Sequence, residues 1–158
     1  MTLTGIGYDV HQFAAGRPLI LGGVELEHDR GLIGHSDADV LTHAVMDALL
    51  GAAGLGDIGQ HFPDSDDRYR DVRSLSLVGN VVTSVIAAGL EVVNVDTTVI
   101  MERPRLGAHR DEIRRNLAGA LGLAVGRVNV KATTNEGIGF VGREEGVAAL
   151  AVATLRER

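Results

Sequence analysis

At 158 residues, 45% of them hydrophobic, the chain has the size and apolar content of one domain with one core. A formal net charge of −6 argues against a surface built for nucleic acid or an anionic membrane, and the absence of cysteine excludes a disulfide scaffold and leaves any metal site to histidine and carboxylate. No apolar run reaches about 18 residues and no leader-like pattern opens the chain, which predicts a cytoplasmic protein with no membrane partner.

With no Trp, three Phe and two Tyr, the core must be built from Val, Leu, Ile and Ala. Residues 2–13 read as a strand. Within it Asp9 and His11 stand two apart, so an extended backbone aims both at one face. Both are zinc-ligand types, and a site needs at least one more. Residues 17–27 carry a turn, a Leu-Ile-Leu run, Gly22-Gly23 and an alternating Val-x-Leu, the pattern of a small hairpin. A polar connection over 28–34 leads to HSDADVLTHAVMDALLGAAG, residues 35–54, the strongest helix pattern in the chain. Asp37 is its expected N-cap, Val40/Leu41, Ala44/Val45 and Ala48/Leu49 its apolar stripe, and Gly51 or Gly54 its stop. Asp39, His43 and Asp47 stand four apart and share a side. His43 is the candidate third ligand, with a carboxylate one turn away to orient it. His35 and Ser36 lie at the helix mouth, where free N–H groups favour phosphate.

Residues 55–71 lack periodicity and carry five Asp, which predicts an unstructured lid or substrate-facing loop anchored by Phe62-Pro63. A helix over 72–88 places Leu75, Val78, Val82, Val85 and Ile86 inward. A strand over 91–102, a break at 103–107, a helix over 109–121 with Ile113, Leu117 and Leu121 inward, a strand over 127–134 and a Gly-rich turn over 135–146 follow. Val147 to Leu155 fits a helix or a buried strand, because so short an apolar run carries no deciding period. No repeat or linker divides the chain, so residues 1–158 read as a single domain. The order predicts an α/β sandwich with helices on one face of a mixed sheet, the bare face being covered by another subunit about a symmetry axis.

Asp9, His11 and His43 form a three-ligand zinc set whose open position suits water or a phosphoryl oxygen. In Lys131-Ala-Thr-Thr-Asn-Glu136, Thr133 and Thr134 offer hydroxyls to phosphate and Glu136 a carboxylate to a second, hard divalent ion. Arg105 adds positive charge. Neither a Walker A pattern nor a Gly-x-Gly-x-x-Gly fingerprint is present. The residues alone leave three readings: a metal-assisted reaction at a phosphate or diphosphate, a plain zinc hydrolase, and a non-enzymatic binding module.

Taken together, GIGYDVHQF, HSDADV, LGDIGQHFPDSD, NVDTTVI, VNVKATTNEGIGF and GREEG, in this order and spacing, resemble the 2-C-methyl-D-erythritol 2,4-cyclodiphosphate synthases of the non-mevalonate isoprenoid pathway. The resemblance covers essentially the whole chain. It implies a ferredoxin-like sandwich with a mixed four-stranded sheet plus the N-terminal hairpin, a strand at 147–155, and a homotrimer with active sites between subunits. It implies one zinc per subunit on Asp9, His11 and His43, with the substrate β-phosphate as fourth ligand, and magnesium or manganese on Glu136 with the diphosphate. His35 and Ser36 would touch phosphate and diol, Asp57 and Gly59 the methylerythritol hydroxyls, and Phe62 and Asp64 would sit on a mobile loop. From the neighbouring subunit, Met101, Arg105, Leu106, Ala132, Thr133 and Thr134 would line the cytidine pocket. Phe140 and Arg143 are further substrate-binding candidates, Arg143 lying with Glu145 near the threefold axis.

The implied reaction is attack of the 2-phosphate of 4-diphosphocytidyl-2-C-methyl-D-erythritol 2-phosphate on its β-phosphorus, with release of CMP. His35 and Thr134 are the catalytic candidates, and no side chain is assigned as base because the attacking phosphate is already a dianion. Relatives commonly show Pro-Lys-Leu and then a second Pro before His; residues 104–109 here read Pro-Arg-Leu-Gly-Ala-His, which keeps the charge and predicts a looser turn. The runner-up activity is a zinc-dependent phosphoesterase.

Overall fold

The computed structural model describes residues 1–158. In chain order they form β1 (Thr2–Ala14), the hairpin β2 (Leu19–Leu21) and β3 (Val24–Leu26), β4 (Gly31–Leu32) and α1 (Val40–Ala53). There follow α2 (Ile58–His61), α3 (Ser74–Ala87), β5 (Leu90–Ile100), α4 (Arg110–Leu121), β6 (Val128–Thr133), α5 (Gly139–Gly142) and β7 (Gly146–Glu157). A mixed five-stranded sheet runs β4-β1-β7-β5-β6, and β2-β3 stand apart as a two-stranded ribbon. β7 lies antiparallel between β1 and β5, from Thr2↔Arg156 to Gln12↔Gly146 on one side. β5 and β6 are parallel, joined through α4. The sandwich expectation holds, with β4 as a short fifth strand inside the stretch predicted to be a polar connection. No helix is long and apolar enough to cross a membrane.

α1, α3 and α4 cover one face of the sheet. β1 alternates without a break: Gly5, Gly7, Asp9, His11 and Phe13 turn toward the helices, while Ile6, Tyr8 and Val10 point the other way and are 70%, 52% and 42% exposed. α1 lies against β1 and β7. It comes so close that a Cβ on Gly7 would stand 1.8 Å from the Ala44 carbonyl oxygen, and one on Gly5 would stand 2.2 Å from that of Ala48. On β7 the same approach is met by Ala149, Ala151 and Ala153, all fully buried. A core without large aromatics is thus a consequence of how near the helix must lie. The near absence of polar positions in Val147–Leu155, where Thr154 is the only one, is that of a central strand.

Eleven of the fourteen residues of α1 are buried, more than its stripe predicts, because the β2 ribbon and α3 pack on its flanks. Its cap is Asp39, which accepts from Thr42 N–H at 3.0 Å, and not the expected Asp37. On α3 the inward residues are Leu77, Val78, Val81 and Val85; Ile86 is 43% exposed, so the buried face is rotated from the predicted one. α4 buries Ile113, Leu117 and Leu121 as expected. Residues 55–71 are not unstructured: α2 is capped by Asp57 and a 3-10 turn at Asp67–Tyr69 by Asp66. Two of the aspartates read as loop acidity therefore satisfy helix N–H groups. The segment after Pro104 forms a 3-10 turn at Gly107–His109, with a 2.7 Å bond from His109 N–H to Leu106 O and Leu106 buried.

Candidate active site and metal centre

β1 supplies Asp9 and His11 from one face, and the first full turn of α1 brings His43 down onto them. Asp9 Oδ2 lies 3.0 Å from His11 Nε2 and 3.0 Å from His43 Nδ1, and the two nitrogens are 3.2 Å apart. Tetrahedral zinc with bonds of about 2.0–2.1 Å holds its ligand atoms roughly 3.3 Å from one another. The triangle is therefore already of the right size, and it is the one group of carboxylate and imidazole donors in the chain that converges in this way. Each imidazole is held from behind. His11 Nδ1–H donates to Ile33 O at 2.7 Å, and His43 Nε2 meets Ser74 Oγ at 2.7 Å.

Burial opposes ionisation of Asp9, but hydrogen bonds from His11 and His43 and their positive charge outweigh it and hold the carboxyl down at about 2. Burial likewise pulls His11 down, and the Asp9 carboxylate overrides it, so the imidazole titrates above its ordinary 6.5.

The three ligands open onto a cavity of about 270 Å³. His35, Ser36, Gly59, Phe62 and Asp64 share its wall, together with Met46, Tyr69 and Leu77, which sequence reasoning did not single out. Phe62 packs edge-on against Tyr69, their centroids 5.3 Å apart. His35 Nε2–H reaches Asp66 O at 3.3 Å, tying the cavity floor to the 3-10 turn. Asp57 stands beside the cavity, its carboxylate engaged by Gln60 N–H at 3.0 Å.

Two expectations about α1 are corrected. Asp39 does not orient His43: it is fully buried, and its two oxygens accept from Gly22 N–H, Gly23 N–H and both donors of Thr42. Two donors from the hairpin turn and two from Thr42 leave it no free oxygen for His43. Asp47 accepts from Ile58 N–H at 2.8 Å and so ties α2 to α1. The group behind His43 is Ser74, backed by Asp37. With the first turn of α1 capped by Asp39, His35 and Ser36 meet the cavity from the preceding turn and not from a free helix mouth.

The second predicted set lies outside this cavity. Met101 and Leu106 are buried, and Arg105 lines a separate cleft with Arg30, Arg103 and Glu144. Ala132 and Thr133 end β6, and Thr134 Oγ1 accepts from Glu136 N–H at 3.2 Å. Glu136 is exposed in the left-handed region, with φ of 53°, its turn held by a 2.6 Å bond from Asn135 N–H to Glu102. Phe140 is 37% exposed and Arg143 pairs with Glu145 at 2.9 Å.

The chain matches the YgbB family over residues 2–156. It is 62% identical over 152 residues to the 2-C-methyl-D-erythritol 2,4-cyclodiphosphate synthase of Salinibacter ruber, covering 96% of this chain and 97% of that one. Its fold superposes on the bifunctional IspDF of Campylobacter jejuni with a TM-score of 0.96 at 43% identity, all of this chain covering 43% of that one. The Plasmodium falciparum IspF in its CDP complex matches at 0.87 and 28% identity over 99% of this chain and 97% of its own. With the Asp9–His11–His43 centre set on this fold, the chain belongs to the YgbB family, that of the 2-C-methyl-D-erythritol 2,4-cyclodiphosphate synthases.

Proposed function

We propose that the chain, as a single cytoplasmic domain, converts 4-diphosphocytidyl-2-C-methyl-D-erythritol 2-phosphate to 2-C-methyl-D-erythritol 2,4-cyclodiphosphate and CMP, the reaction of a phosphorus–oxygen lyase. The observation that carries the reading is the preset triangle of Asp9, His11 and His43 at the mouth of a cavity. These three would hold zinc, and Glu136 would hold magnesium or manganese with the diphosphate. Bound there, the two cations supply positive charge against phosphate oxygens. The protein's own share is placement. Ser36 Oγ and His35 at the cavity wall offer donors to a phosphate, while Gly59, Phe62 and Asp64 of the wall, with Asp57 beside it, would enclose the polyol. Keeping the substrate bent, with its 2-phosphate against the β-phosphorus, makes the attack unimolecular, and donors fixed in a site that excludes water oppose the charge developing on CMP.

The cytidine end is assigned to Met101, Arg105, Leu106 and Ala132–Thr134 of a neighbouring copy, with Phe140 and Arg143 closer to the axis. Two observations support a homotrimer. One chain does not bring this set to the cavity, and its open sheet face exposes Ile6, Tyr8, Val10 and Val152. The CDP complex of the Plasmodium falciparum relative supports a cytidine diphosphate in the substrate. The test is to supply the cytidine substrate and follow product masses. Cyclic diphosphate with CMP is expected; a linear phosphate product would make the chain a zinc-dependent phosphoesterase instead.

A further inference from the structure

Behind the metal triangle, a line of hydrogen bonds leaves His43 and ends in a buried carboxylate. His43 Nε2 lies 2.7 Å from Ser74 Oγ, and Ser74 Oγ lies 2.6 Å from Asp37 Oδ1. Asp37 also accepts from Ser74 N–H at 3.0 Å and from Asp39 N–H at 3.2 Å. Ser74 is fully buried, and Asp37 and His43 are each 9% exposed. The direction of the line follows from counting protons. A carboxylate only accepts, so the single hydroxyl proton of Ser74 goes to Asp37. Ser74 then offers His43 a lone pair at 2.7 Å, shorter than the 3.0 Å to Asp9 that a protonated imidazole also spans, so the neutral His43 keeps its one proton on Nε2. That leaves the Nδ1 lone pair facing Asp9 Oδ2 at 3.0 Å and His11 Nε2 at 3.2 Å. His11 does the same with its nitrogens exchanged, since its Nδ1–H is committed to Ile33 O.

We propose that Ser74 and Asp37 are positioning residues: together they fix the tautomer of His43, so that the third ligand waits in its metal-binding form. This rests on reading Asp9, His11 and His43 as a metal site. Ser36 Oγ, 3.2 Å from His43 Nε2 and 3.3 Å from Ser74 Oγ, is the more distant partner and stays available to the cavity.

The polarity of the line, not its mere presence, sets the function. Asp37→Asn keeps the shape but replaces one acceptor with a donor. Neither the Ser74 N–H, 3.0 Å from Oδ2, nor the Asp39 N–H, 3.2 Å from Oδ1, can reverse; the amide oxygen keeps the shorter bond to Ser74 N–H, the Asp39 bond is lost, and the amide nitrogen then donates to Ser74 Oγ. Ser74 turns its hydroxyl toward His43 Nε2, and the imidazole proton moves to Nδ1, into the place of the metal. Ser74→Ala only removes the acceptor, which leaves His43 to Ser36 and the tautomer mixed.

The experiment reads nitrogen-15 imidazole spectra of the metal-free protein at alkaline pH, and zinc affinity by chelator competition. The wild type is expected to show His43 protonated on Nε2. D37N should show the proton on Nδ1 and a zinc affinity lower by about 10–100-fold, and S74A a loss toward the lower end of that range. A wild type protonated on Nδ1 overturns the proposal without any variant. So does a folded D37N that keeps both the wild-type tautomer and the wild-type zinc affinity. Should the wild type take up no zinc, the metal reading falls, while the tautomer of the metal-free protein still decides the relay.

Discussion

Gly7→Ala tests whether the metal site depends on how closely α1 rests on β1. The new Cβ would lie 1.8 Å from the Ala44 carbonyl oxygen, where ordinary contact begins near 3.4 Å, so helix and strand must part by about 1.6 Å. The obstacle is backbone and has no rotamer to retreat to. Ala44 follows His43 directly, and Gly7 is two residues from Asp9 on the same face of β1. The displacement is half the 3.0–3.2 Å edges of the ligand triangle. Zinc tolerates errors of roughly 0.2 Å in its bonds, so affinity should fall on the order of 100-fold, the upper range for a disturbed ligand. Overpacking should also cost about 1–3 kcal/mol, or roughly 2–4 °C of Tm for each kcal/mol in a chain of this size. Chelator competition and thermal melts of the metal-free protein measure the two effects. Gly5→Ala, with its clash one turn farther along at Ala48, should cost similar stability and less affinity. A Gly7→Ala protein that binds zinc and melts like the wild type would refute the reasoning.

Removing the helix-borne ligand by His43→Ala should abolish tight zinc uptake and cut CMP release by at least about 100-fold; full turnover in that variant would show that the triangle is not the reaction centre. Metal-free protein should be most stable between the ordinary Asp9 value of 3.8 and the ordinary His11 value of 6.5. The depressed Asp9 contributes above 3.8 and fades as pH falls toward about 2, while the raised His11 contributes below 6.5 and fades as pH climbs through its folded value. Melts across pH check this, and the same proton should make zinc affinity rise with pH until His11 has lost it. Tyr8→Glu, on the open face, should yield a monomer by light scattering that still binds zinc and forms no cyclic product; a monomer with full activity would contradict the shared-site reading. Asp39→Ala strands buried N–H groups of the hairpin and of α1 and should cost about 2–4 kcal/mol in denaturant unfolding.

The metal centre was legible because its signals are local: two ligands at strand spacing, and one histidine in the most strongly periodic helix. The partners of Asp37, Asp39 and Ser74 were not, since a short polar side chain near a helix start reads as a cap whichever donor it finally meets. Asp39 caps α1 and Asp37 turns to Ser74, thirty-seven residues away, a pairing that only the packing of α3 on α1 creates. The same limit applied to residues 55–71, where Asp57 and Asp66 serve turns too short to show a period. The final strand escaped periodicity for a different reason. β7 is central, and its alanines are small to admit α1, which erases the contrast between its two sides.

β1 behaves like a message with a two-letter reading frame. Its odd positions from Gly5 to Phe13 address the helix and the metal, and its even positions from Ile6 to Gln12 address whatever covers the open face. Inserting or deleting one residue upstream of Asp9 would transpose the two texts, driving the Tyr8 ring against α1 and the close-packing glycines outward. Substitutions can therefore tune chemistry and assembly separately along this strand, whereas a change of length by one must corrupt both at once.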